Sequence, residues 1–375
     1  MNKVHVPILK ANRGECDALA NLDKRIAGKI TPLFEVGRVT EAVSKAKYFQ
    51  ASSTPLMTYL NRVVQRVGNA WTGRVAMVDC YQWLPNARVE NGDHVIAHVV
   101  AGLEAAGVSV IPVIGYDRWS NSDYQMGLAS IPPRPDGRYC MRLDSAAFED
   151  AAEPEVFEAT IVDIVERLEV DPHRCSVLLD FADVSINTMS IERMVEASMN
   201  IIRQLQPFGF DHYVVAGCSL PRTIDLAVNS KDSDGFVLRK EMLAWQALRL
   251  NLPDVTVISG DYGVRGPTTT ERPSKYTNGK IRHTVKRQMY VVRGHAFSDD
   301  GDQKQMHDLS ARLKRSPHFL GPSFSWGDEQ ILLCSRQFVL GSTTQWIAID
   351  TNHHLTFVVH EVEEFEREAV AEELI

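Results

Sequence analysis

Ionisable side chains recur in this chain at one kind of position, the last residue or two of a short apolar run. They are Lys10, Glu35, Asp79, Arg142 with Asp144, Asp180 with Asp183, and Asp261 with Tyr262; Asp117 lies a little past such a run, and Ser219 closes another. One polar residue where a strand meets a loop is ordinary. The repetition matters because parallel strands would bring these groups to one end, where carboxylates repel unless something neutralises them. Glu35, Asp79, Asp180 and Asp261 are the carboxylates of most interest. As hard oxygen ligands from several strands they suit Mg²⁺ or Mn²⁺, which would polarise a phosphoryl oxygen or activate a bound water. A pair of them could instead act as general acid and base. Lys10 and Arg142 would then stabilise developing negative charge, with Tyr262 beside them as a further catalytic group. The bland alternative is a salt-bridge network with Lys10 and Arg142 that only holds the strand ends.

The elements that would position these residues form a repeating unit. The apolar runs are VHVPILK (4–10), ITPLFEV (30–36), RVAMVDC (74–80), VSVIPVI (108–114), RYCMRLD (138–144), CSVLLDF (175–181), HYVVAGCS (212–219) and VTVISGD (255–261). They are rich in Val and Ile and too short for helices. Stretches with helical periodicity lie among them, at 15–29, 56–68, 94–106, 155–168, 191–205 and 239–250. Alternation of this kind predicts parallel strands with crossover helices, and the number of runs is that of a closed (β/α)8 TIM-like barrel. The rival is a doubly wound open sheet, which more typically carries a Gly-rich turn after its first strand; KANRG (10–14) offers one glycine. The barrel is expected over residues 1–320, with 303–314 as its last helix. Residues 321–375 hold SFSWGDEQILLC, GSTTQWIAID and HHLTFVVHEV. They read as a mixed or β-rich appendage packed on the barrel, anchored by Trp326 and Trp346 and ending in an acidic helix.

Residues 262–287 read as a mobile polar loop. The overlapping stretch 275–293 is basic, with Lys275, Lys280, Arg282, His283, Lys286, Arg287 and Arg293 interleaved with Tyr276 and Tyr290. Above a barrel mouth it could grip an anionic small molecule or a nucleic-acid backbone, with Lys275, Tyr276 and Arg282 in contact; a solvated loop is the alternative. His353, His354 and His360 read as strand residues. Neighbours on a strand point to opposite faces, and no paired zinc spacing marks them. His354 is therefore expected to be structural or to touch substrate, not to ligate a metal.

Composition sets the bounds. The chain has 375 residues, 44% hydrophobic and 23% charged, with a formal net charge of −8. It is large enough for a core without disulfides, and it lacks the overall basic charge of a non-specific nucleic-acid binder. The six cysteines include no CxxC pair and fall mostly in or near apolar runs, as buried free thiols of a reducing compartment do. No run approaches the roughly 20 apolar residues of a transmembrane helix, and the opening MNKVHVPILKAN lacks a signal-peptide core. A cytoplasmic protein with no membrane association is expected.

Several motifs together resemble a known family. VPILKANRGECDAL followed by ITPLFEV, ISGDYG near position 260, Trp326-Gly327-Asp328, and the closing Gly341…Trp346…His353-His354 pattern resemble the Beta protein family of phages and bacterial genomes over nearly the full length. The resemblance marks Lys10, Glu35, Asp261, Tyr262, Trp326, Gly327 and His354 as positions of interest. Members often lie near phage-defence or mobile-element genes. This implies a role in phage–host conflict and a protein partner from a defence or phage operon, but no particular reaction. More locally, ILKAN is similar to barrels that carry pyridoxal phosphate on a first-strand lysine, although the phosphate-binding glycines of such barrels are not evident.

Two functional readings follow. The first is a metal-dependent barrel hydrolase of phosphodiesterase or nuclease type, acting on a phosphate-containing or nucleic-acid substrate. The second is a non-catalytic binding module that recognises a protein or anionic ligand. They differ in what the strand-end carboxylates do. An enzyme needs them converged on an open pocket, and a binding module would have them dispersed or locked in ion pairs.

Overall fold

In a computed structural model, which describes residues 3–134, 136–186, 188–268, 277–300 and 303–373, every one of the apolar runs is a strand of one closed barrel. The barrel strands are β1 (His5–Lys10), β2 (Leu33–Glu35), β3 (Val75–Asp79), β4 (Ser109–Gly115), β5 (Tyr139–Leu143), β6 (Cys175–Asp183), β7 (His212–Cys218) and β9 (Val257–Asp261). All neighbouring pairs are parallel, and β1 pairs with β9 to close the circle. Because side chains alternate along a strand, each strand is apolar on both faces. Ile8, Leu33, Met77, Val113, Cys140, Leu178, Val214 and Ala216 fill the barrel interior. Leu9, Phe34, Val78, Ile114, Met141, Leu179 and Val215 face the surrounding helices. The periodic stretches form those helices, among them Pro55–Trp71, Val95–Ala105, Pro154–Arg167, Ile191–Leu205 and Lys240–Asn251.

The appendage is mixed, but its strands come from elsewhere than expected. It is an antiparallel sheet of order β10-β11-β8, from β8 (Ser233–Leu238), β10 (Asn278–Val285) and β11 (Gln288–Ala296). Residues 278–287 of the expected 262–287 loop are therefore strand β10 and its turn into β11. Helix Gln305–Arg315, expected to be the last helix of the barrel, packs on this sheet instead through Met306, Leu309 and Leu313.

The C-terminal segment contains no strand over its described residues. It forms helices Trp326–Ser335 and Thr343–Glu373. The β-branched residues of LTFVV suggest a strand, but the buried positions Leu355, Val358, Val359 and Val362 are spaced i, i+3, i+4, i+7, which is one face of a helix. This long helix lies between helix Arg13–Ala20 and helix Lys240–Asn251. It packs along the first and reaches the second through Arg249–Glu366 (2.9 Å) and the Trp245 and Phe365 rings (5.1 Å). It takes the place of the barrel's last helix. Trp326 and Trp346 anchor the C-terminal helices on the small sheet rather than on the barrel, within the cluster of Ile281, Val292 and Leu309. All six cysteines are buried and free, and no described helix is long and apolar enough to cross a membrane.

Gly327 marks the tightest approach of the two C-terminal helices. Its N–H donates to Asn352 Oδ1 (3.0 Å), and a Cβ there would lie 2.4 Å from Ile349 O and 3.1 Å from His353 N. These are backbone atoms that cannot step aside. Gly327→Ala is expected to destabilise the protein by about 1–3 kcal/mol, read as a lower midpoint in urea unfolding.

Candidate functional site

The strand-end residues meet at the C-terminal mouth of the barrel, where sites in this architecture form. Lys10, Glu35, Asp79, Arg142 and Asp180 each stand two residues after an interior side chain, namely Ile8, Leu33, Met77, Cys140 and Leu178. They therefore point inward together. Arg142 is the centre. It donates from Nε to Asp180 Oδ2 (2.9 Å), from Nη1 to Asp79 Oδ2 (2.7 Å), and from Nη2 to Glu35 Oε1 (2.8 Å), Asp180 Oδ2 (2.6 Å) and the Tyr262 hydroxyl oxygen (2.8 Å). The Tyr262 O–H donates in turn to Asp180 (2.7 Å). Arg142, Glu35, Asp79, Asp180 and Tyr262 are all at most 6% exposed.

Arg118 completes the ring and was not among the residues the sequence singled out. It binds Asp79 in fork geometry (Nη1 2.8 Å, Nη2 3.3 Å) and reaches Asp117 (3.0 Å). Its place is made by Gly115, the inward residue at the end of β4, where a Cβ would overlap the Arg118 guanidinium at 1.9 Å. A glycine at a strand end, three residues before an arginine, was the available signal.

Charge accounts for the state of each group. Burial raises the Asp79 pKa, but Arg118 and Arg142 more than offset this and hold it below the usual carboxylate range. Burial also raises that of Glu35, and there it prevails over Arg142 and Lys10; the Glu35 Oε2 atom is buried without a hydrogen-bond partner. Burial lowers the Arg142 pKa, but Tyr262, Asp180, Glu35 and Asp79 outweigh it, so the guanidinium stays charged. The carboxylates of Glu35, Asp79 and Asp180, with Asp117 at the rim, face the cations of Arg142, Arg118 and nearby Lys10, so the cluster carries no excess of positive charge.

The mouth is also covered. The Lys10 ammonium donates to Pro267 O (3.1 Å), toward which the Tyr81 hydroxyl points (3.5 Å), and Arg265 is tied to Glu15 by a buried salt bridge (3.0 Å). Residues 263–267 thus lie across the mouth. The crevice beside Asp79, Trp83 and Arg118 has a volume of about 10 Å³, roughly that of a single water.

Asp261 departs from the expected set. Tyr262, not Asp261, has the inward parity, in step with Ile258, which packs on the interior cluster. Asp261 faces outward under the long C-terminal helix. It meets His354 Nε2 (3.1 Å to Oδ1, 3.0 Å to Oδ2), His5 Nε2 (3.5 Å), Arg239 (3.2 Å) and the Gly263 N–H (2.9 Å). The four carboxylates proposed as one Mg²⁺ or Mn²⁺ ligand set are therefore split, and the place a cation would take among the other three is held by Arg142. His353 and His354 lie on a helix, not a strand, and serve two separate clusters, one with Asp328 and one with Asp261.

The basic stretch is also divided. Lys275 and Tyr276 lie outside the described residues. Arg282 is 6% exposed and donates to Asp350 (2.8 Å) and Val264 O (2.7 Å), which ties β10 to the C-terminal helix. Outside the ring, Ser219 donates to Glu241, Asp144 caps helix Ser145–Asp150 and Asp183 accepts from Ser185.

The chain is thus a (β/α)8 barrel protein whose strand-end charges neutralise one another beneath a covering segment. A family model described as Beta protein matches residues 5–360, and the chain belongs to that family. None of the curated proteins compared with it matches.

The two kinds of carboxylate in the ring separate by mutation. Asp79→Asn removes the shared partner of two buried arginines and should cost about 3–5 kcal/mol. Glu35 behaves oppositely. Its raised pKa means that its contribution to stability is present below the unfolded value of 4.5 and is lost as pH rises through the folded value. Ionising Glu35 in the fold is a net cost, so Glu35→Gln should leave the melting temperature unchanged or raise it. Thermal melts of both variants at pH 7 check the ordering.

Proposed function

We propose that this Beta family member acts in phage–host conflict as a non-catalytic recognition module, with its barrel as a rigid frame and a protein as its partner. The observation that carries this reading is Arg142, which locks Glu35, Asp79 and Asp180 in ion pairs at 6% exposure. A hydrolase would need these carboxylates available to water, metal or substrate, and a divalent ion would have to expel a buried guanidinium. The self-neutralised ring also offers no net attraction to a phosphate. The phage–host setting is what the family resemblance implies.

The loops after β3 to β6 are adjacent around the mouth and supply the recognition arc. Leu84 is 72% and Ile186 51% exposed, and Asp117, Asp144 and Asp183 lie along the same arc. Lys240 ties down the flanks of Ile186, its ammonium donating to the Val184, Ile186 and Met189 carbonyls at 2.8–3.1 Å. Exposed apolar anchors flanked by carboxylates suit a partner segment with apolar and basic side chains.

A phage-challenge assay tests this against the hydrolase reading. The double variant Leu84→Asp, Ile186→Asp should lose the wild-type phenotype with an unchanged melting temperature, while Lys10→Met should retain it. Loss in Lys10→Met with its fold intact, and retention in the double variant, would reinstate the mouth as a catalytic site. A wild-type chain without any phenotype across phages and growth conditions would sink the conflict role itself.

A further inference from the structure

Where the barrel closes, β1 lies beside β9 and the C-terminal helix crosses over both. His5 comes from the first strand, Asp261 from the last and His354 from that helix, with exposures of 0%, 2% and 1%. His5 Nδ1 is bonded to Ser259 Oγ (3.2 Å) and His354 Nδ1 to Thr284 Oγ1 (2.8 Å). Each ring is thus oriented through one nitrogen, leaving Nε2 aimed at Asp261. Outer-shell bonds hold the rings of metal-binding histidines in the same way.

Three further observations point to a cation. The first is His5 Nε2, which is buried without a hydrogen-bond partner, 3.5 Å from Asp261 Oδ1. The second is spacing. His354 Nε2 lies 3.0 and 3.1 Å from the two Asp261 oxygens, and the ligand atoms of all three residues lie within 4.8 Å of one another. Donors on a tetrahedral Zn²⁺, with bonds of about 2.0–2.1 Å, stand about 3.4 Å apart. The third is charge. Arg239 supplies one positive charge to the cluster (3.2 Å from Asp261), but Glu361 (2.7 Å) and Glu241 (3.7 Å) face it as well. Asp261 and Glu361 alone already outnumber the Arg239 guanidinium.

We propose that His5 Nε2, His354 Nε2 and an Asp261 carboxylate oxygen form a buried Zn²⁺ site that fastens the C-terminal helix across the seam of the barrel. Two imidazoles and one carboxylate suit zinc and leave one position of a tetrahedral ion to water. The site is enclosed, so its role is structural. The other histidine cluster also has buried unpartnered atoms, His283 Nδ1 and Asp328 Oδ1, but its two rings lie face to face instead of converging on the carboxylate from separate elements. His353 already bonds Asp328 (2.8 Å) and Thr284 O (2.9 Å), and its ring stacks on His283 at 3.6 Å.

The test uses the full chain, refolded with Zn²⁺, desalted and assayed by elemental mass spectrometry. About one zinc per chain is expected, falling by about tenfold or more in His5→Gln and His354→Gln and unchanged in His283→Gln. Refolding with EDTA should lower the melting temperature of the wild type and leave those of His5→Gln and His354→Gln unmoved. X-ray absorption at the zinc edge of the wild type needs no variant and should give nitrogen and oxygen donors with imidazole scattering. A wild type that retains no zinc, zinc retained by both ligand variants, or a sulfur-containing shell would each overturn the assignment.

Discussion

The fold depends on one guanidinium. Arg142 gathers groups from β2, β3, β6 and the residue after β9 into a single hydrogen-bonded layer. Carboxylates from separate strands could not share a dry interior without it, and its own charge would be intolerable there without them. Removing water from such a set is costly. The return is geometric, since a planar fork with several donors fits one arrangement of acceptors and no other. The glycine at the end of β4 admits the Arg118 guanidinium to the same layer, and Gly260, whose Cβ would lie 2.9 Å from Val214, leaves the interior room just below Tyr262. The apolar layers beneath could tolerate other packings; the charged layer fixes where each strand ends.

A second polar system holds the outside of the barrel where it closes. Arg239 joins Asp261 to Glu361, and Glu361 also accepts the Arg287 N–H at the β10–β11 turn (2.6 Å). The small sheet and the long helix are thereby fixed to the same strand. Arg282, with Asp350 and Val264 O as its acceptors, repeats the arrangement one layer away. Buried arginines thus serve as joints between elements that share little apolar surface.

The barrel was legible because its signal is local. Each strand declares itself by a short Val- and Ile-rich run, and each of Lys10, Glu35, Asp79, Arg142 and Asp180 stands at a run's end with the parity of the interior residue two positions before it. What failed was also physical. Asp261 and Tyr262 are adjacent, and only the parity of Ile258 and Gly260 tells which faces in. Arg118 follows its strand by three residues and enters through space left by a glycine, which a search for polar strand ends does not find. The C-terminal helix was hidden because β-branched residues favour strands locally, while its burial against the barrel follows the helical period. Arg282 looked like part of a basic loop because its partner, Asp350, lies far along the chain.

The long helix at the end of the chain also bears on how the protein is made. His5 leaves the ribosome long before its cover, His354. A chain that folds from its N-terminus as it is synthesised can assemble β2 to β7 with their helices early. The seam between β1 and β9 stays uncovered until the final helix arrives. Until β9 emerges the first strand has an unpaired edge, and until the long helix emerges it has an exposed apolar flank, a hazard for association with other chains. The long helix acts as a bolt drawn only after both strands it fastens have been made.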